Sequence, residues 1–146
     1  MATKAAKSIT INATKYQLAN TLAVVDGKIQ LKADDVVLSE VTAPGGDPEI
    51  QEIVLPSGTT SLNQIGSDVQ VTYKTGSSWA DLIAACQADK VVYLKIYNSY
   101  NSVVGFIPVS YSERFAMDML TPYVDFVACK GMRFHLDEDG YLTKVT

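Results

Sequence analysis

Apolar and polar residues alternate with period two through most of this chain, and only one segment breaks into helical spacing. That pattern restricts the fold to a β-rich architecture with a single helix. Ile9 and Ile11 alternate with polar neighbours, and Leu22 and Val24 do the same. Asp26-Gly27 then precedes Lys28, Ile29, Gln30, Leu31 and Lys32, a second clean alternation. Asp-Gly between two such runs predicts a β-hairpin, because both central residues of a type I′ turn need positive φ. Val36 to Val41 reads as a further strand, so residues 8–42 form a small antiparallel meander.

Pro44-Gly45-Gly46-Asp47-Pro48 interrupts this pattern, since two prolines and two glycines in five positions stop any regular element. The segment reads as a linker between two units, 1–43 and 49–146, or as a surface loop within one domain. Strands resume at Glu49–Leu55 and at Asp68–Lys74, with Pro56 to Thr60 turning the chain between them. In the second strand Val69, Val71 and Tyr73 share one face.

The helical segment runs from Ser78 to Asp89. Ser77 or Ser78 supplies an N-cap oxygen, and Asp81 adds a carboxylate in the first turn. Trp79, Leu82, Ile83 and Cys86 form one apolar stripe. Trp79 reads as core, with a ligand-stacking platform as the other reading. Val91 to Tyr97 is an apolar strand, Asn98 to Ser102 a turn, and Val103 to Val109 a returning strand. Pro108 marks that strand as an edge or a bulge. Tyr111 to Leu120 fits neither period. Tyr123 to Cys129, Met132 to Leu136 and Tyr141 to Val145 alternate, with turns at Lys130-Gly131 and Asp139-Gly140.

The fold class that follows is α+β: mainly antiparallel β, a small N-terminal meander, and one short helix packed on the C-terminal sheet. The stripe should cover residues such as Val92, Leu94, Phe126 and Phe134. The opposite face, with Lys95, Arg133 and His135, should meet solvent or a neighbouring subunit.

Composition narrows the function. In 146 residues, 47% are hydrophobic, enough to bury a core without disulfides or metals. The net charge of −4 removes the basic footprint that nucleic acid requires. No apolar run approaches the ~20 residues of a membrane-spanning helix. Met1 to Lys7 has no apolar region of the kind found in signal peptides, so synthesis in the cytoplasm and reduced thiols are expected. Cys86 and Cys129 read as two small buried hydrophobes.

The candidate chemistry is thin. One histidine and no CxxC make a zinc site untenable, and no glycine pattern cradles a phosphate. Asp137-Glu138-Asp139-Gly140 reads as a hairpin tip, because a calcium loop would need a later glutamate. Cys129 and His135, with Asp137 as orienter, could pair as nucleophile and base, but no nucleophile-elbow motif surrounds them. No catalytic residue, cofactor or metal site is therefore expected. The eight tyrosines suit recognition, since Tyr covers apolar area and tolerates water. Tyr97, Asn98, Tyr100 and Asn101 cluster at one turn, and form the candidate surface for a glycan.

Two blocks resemble a known group. Lys7-Ser-Ile-Thr-Ile-Asn12, Lys15-Tyr16 and Asn20-Thr-Leu22 resemble the start of small virion proteins in tailed phages of gut bacteria, crAss-like phages among them. Ser78 to Lys95 resembles a small α+β module of head-fibre and auxiliary capsid proteins in such phages. The resemblance implies a head fibre or capsid decoration protein, located in the virion after synthesis in the host cytoplasm. It implies a homo-oligomer, dimer or trimer, that contacts phage capsid proteins, and no catalysis. The alternative is a carbohydrate- or cell-surface-binding module directed at a host surface glycan. Residues 1–43 are the expected attachment lobe, because a short meander is marginal alone and gains stability from a partner.

Overall fold

The computed structural model describes residues 19–42, 47–60, 62–65, 68–88, 90–113, 122–127 and 133–145. The expectations for Ile9, Ile11, Pro44 to Gly46, 114–120, Cys129, Lys130-Gly131 and Met132 lie outside the described residues.

The cleanest alternation gives the first sheet. β1 (Thr21–Val25), β2 (Lys28–Ala33) and β3 (Val36–Thr42) pair antiparallel in that order. Asp26 and Gly27 take φ of 51° and 76°, the positive values that the two-residue hairpin demands. A bulge between Leu31 and Lys32 leaves Leu38 without a register partner, and Leu38 packs inward.

A second sheet holds four strands in the order β6-β4-β7-β8: β4 (Glu49–Val54), β6 (Thr72–Tyr73), β7 (Val92–Tyr97) and β8 (Val103–Pro108). β4 and β7 run parallel, and the other pairs are antiparallel. β8 is an edge strand, the position that Pro108 favours. A third, antiparallel sheet has the order β5-β12-β11-β10-β9: β5 (Val69–Gln70), β9 (Ser110–Glu113), β10 (Pro122–Val127), β11 (Arg133–Leu136) and β12 (Tyr141–Val145). The fold is thus α+β, mainly antiparallel, with one α-helix among the described residues.

That helix, α1 (Trp79–Gln87), lies on the connection that returns the chain from β4 to β7. Ser78 is extended, and its Oγ accepts the Asp81 N–H at 3.2 Å. Leu82 and Cys86 are buried in one cluster with Val92, Leu94 and Phe134, and Trp79 and Ile83 pack against it. Trp79 is thus part of the packing; Phe126 has no described side chain. Leu136 and Leu142 join the same cluster, so β11 and β12 share the covering of β7 with the helix.

Two expectations need correction. Asp68–Lys74 is two strands instead of one. Val71 donates its N–H to the Gly140 carbonyl at 2.8 Å, and the chain there leaves the third sheet for the second. The alternation persists across the switch because the Val71 side chain is buried between the two pairings. The second correction concerns the face of β7 that carries Lys95. Tyr93 on that face is fully buried, clustered with Ala19, Ile29 and Leu31 of the N-terminal segment. The Ala19 carbonyl also accepts the Phe106 N–H at 2.9 Å. Part of the face expected to meet solvent or another subunit is therefore covered by this chain's own first sheet. Arg133 is exposed and His135 half-buried, on the third sheet.

Candidate functional site

The turn after β7 builds itself from asparagine chemistry. Asn98 Oδ1 accepts the N–H groups of Tyr100 at 2.9 Å and Ser102 at 3.0 Å. The Asn98 N–H donates to the Ser102 carbonyl, and the Asn101 N–H to the Asn98 carbonyl. Asn101 takes φ of 63°, a left-handed conformation that asparagine tolerates. The Asn98 side chain is therefore spent on shaping the turn.

Tyr97 and Asn101 are brought together by a residue that sequence reasoning did not include. Lys74 Nζ stands 3.8 Å from the Tyr97 ring centroid and donates to Asn101 Oδ1 at 2.6 Å. Tyr97 donates its hydroxyl to Glu52 Oε2. Lys95 Nζ lies 4.0 Å from the same Glu52 oxygen, and 5.3 Å and 5.4 Å from the rings of Tyr97 and Phe106. Parallel pairing sets Glu52 beside Lys95, and the β4–β6 pairing carries Lys74 to the same end. One ring face of Tyr97 is thus occupied by a cation, a favourable arrangement of ring quadrupole and charge. Tyr100 is the open member of the set, 74% exposed. The sequence gives little signal for these partners: Glu52 shares its strand face with Ile50 and Val54, and Lys95 is a single charge in an apolar strand.

The other candidates resolve differently. Asp137 Oδ1 accepts the N–H groups of Asp139 at 3.0 Å and Tyr141 at 2.9 Å, and Gly140 turns the chain with φ of 86°. This is a hairpin tip held by its own aspartate. Among the described residues no group of three metal-ligating side chains converges. Cys86 is buried, and burial pushes its thiol up to about 12, away from thiolate chemistry. Burial likewise pushes the Tyr93 phenol to about 12, and burial aided by the Asp137 charge does the same for Tyr73. No family model, curated protein or solved structure matches the chain.

Proposed function

We propose that this chain is a non-enzymatic structural protein of a phage virion, a head fibre or capsid decoration protein that binds the shell and copies of itself. The observation that carries the reading is the first sheet. Its inner residues Ile29 and Leu31 are buried, yet its outer strands leave Val24, Val25, Val36 and Val37 41–62% exposed. Short edge strands rich in exposed valine suit pairing and burial against another subunit. The two sequence blocks that resemble auxiliary virion proteins point the same way. Sedimentation velocity tests it, together with co-sedimentation on capsids assembled from the major capsid protein of a tailed phage of gut bacteria. The expected result is an oligomer that co-sediments, with both properties weakened by Val36→Lys and Val37→Lys. A stable monomer without affinity for any capsid protein would overturn the proposal.

A second reading, a carbohydrate-binding module, is favoured by the exposure of Tyr100 on a rigid turn. A glycan array gives signal under this reading, and Tyr100→Ala abolishes it. A blank array refutes it.

A further inference from the structure

On the other face of β4, the helix leaves an open groove of about 310 Å³, lined by Glu49, Gln51 and Gly76 on one side and by Ala85 and the exposed Asp81, Ala84, Ala88 and Lys90 on the other. The volume falls at the small end of the range for ligand pockets. The alanines of α1 create the space, since a longer side chain at any of them would fill it. Gln51 is 3% exposed, the one buried polar residue among those described. Its Nε2 donates to Glu49 Oε1 at 3.2 Å, whereas its Oε1 has no partner. Buried amide oxygens are nearly always satisfied, so this oxygen can take a further donor.

The polar balance names the class of donor. Two side chains at the site can donate, and both are directed at Glu49: Gln51 Nε2 by a hydrogen bond of 3.2 Å, and Lys90 Nζ by an ion pair at 3.6 Å. Two carboxylates, Glu49 and Asp81, face one ammonium, so the formal charge of the lining is negative. The carboxylates outnumber the cation, and an apolar alanine wall stands beside them. We infer that this groove binds a primary alkylammonium group, its N–H donors directed to Gln51 Oε1 and the carboxylates and its aliphatic body laid against Ala84 and Ala88. The group could be that of a small free amine or the end of a lysine side chain on another protein. The inference does not depend on the virion reading.

Titration of the ¹⁵N-labelled full chain with n-butylammonium tests it, followed by the amide signals of Gln51, Ala84 and Ala88 and by the Gln51 side-chain amide. A saturable shift is expected, with 1-butanol binding about tenfold more weakly and butyrate not at all. Asp81→Asn keeps the Ser78 cap, which uses a backbone N–H, and is expected to weaken butylammonium about tenfold. Ala84→Leu should abolish binding while the far amides of the first sheet stay in place. Gln51→Met removes the orphan oxygen, and should raise the melting temperature and lower affinity together. A second arm uses acetyl-Gly-Lys-Gly-amide. Binding of this peptide as well assigns the group to a protein lysine, and binding of the free amine alone assigns it to a small molecule. No saturable shift from either probe, equal binding of 1-butanol, or unchanged affinity in Gln51→Met would overturn the inference.

Discussion

The two faces of β7 are covered by different means. Among the described residues, Val92, Leu94 and Ile96 belong to the larger buried cluster, roofed by α1, β11 and β12. Tyr93 belongs to a smaller one with Ala19, Ile29 and Leu31, roofed by one three-stranded sheet. The larger cluster is aliphatic apart from Phe134 and Cys86, and Trp79, Ile83 and Val104 pack against it. The smaller one places a phenol, with an unpartnered hydroxyl, under two aliphatic side chains. The same strand then continues into Lys95 and Tyr97, where cover stops and a charged network begins. A strand buried on both faces can therefore be apolar throughout on one face and graded from apolar to polar on the other.

That contrast can be broken in graded steps, beginning with the larger cluster. Phe134→Ala is expected to cost about 3–5 kcal/mol and Leu82→Ala about 2–5 kcal/mol, read as shifts in urea midpoint, through lost transfer energy and residual cavity. A loss below ~1 kcal/mol for both would mean that the helix does not roof the core. Leu31→Ala in the smaller cluster should cost about 2–3 kcal/mol, near the floor for a buried leucine, because a thin roof collapses more readily. If the first sheet instead unfolds in a separate, earlier transition by near-ultraviolet and far-ultraviolet probes, the two clusters are not one cooperative unit.

Ser78→Ala should cost about 1 kcal/mol through the lost cap, and its effect belongs wholly to the larger cluster. Tyr93→Phe should change stability at neutral pH by less than ~1 kcal/mol, in the stabilising direction, because the buried hydroxyl has no partner to lose. This variant also separates the clusters by pH. The folded chain holds the Tyr93 proton to about 12, while the unfolded phenol releases it near 10, so its contribution is complete below pH 10 and is lost as pH rises toward 12. The Cys86 thiol acts in the same sense from about 9 upward. Tyr93→Phe should keep the declines due to Cys86 and Tyr73 and remove the Tyr93 share alone, measured as chemical stability against pH. The smallest effect is expected from Lys74→Ala, about 0.5–1 kcal/mol from the contact over Tyr97, and it should leave both clusters intact.

Whatever depends on neighbours in sequence was legible beforehand. Asp26-Gly27 announces its hairpin, the pair Ser77-Ser78 its cap, of which Ser78 takes the role, Asn98 its turn, and the stripe from Trp79 to Cys86 its buried face. What depends on distant pairing was not. Val69, Val71 and Tyr73 alternate as one strand would, and only the Val71 bond to Gly140 reveals a change of sheet. The sequence placed Lys95 on the face opposite the helix, but did not show that Tyr93, two residues earlier, would be roofed by Ile29 and Leu31. In the candidate site, Tyr97 and Asn101 were legible as neighbours in a turn. Lys74 and Glu52 were not, because parallel pairing and a two-residue strand bring them there.

The parallel pairing of β4 with β7 has a consequence for the order of folding. The hairpins β1–β2 and β2–β3 close over two-residue turns and need little chain ordering, whereas Glu49 meets Val92 only after β5, β6 and α1 have been accommodated between them. Loop closure on that scale is a late event in a chain of high contact order. The expected transition state holds the first sheet largely formed and the β4–β7 ladder open. Substitutions at Ile29 should then slow refolding, and substitutions at Ile53 should chiefly hasten unfolding.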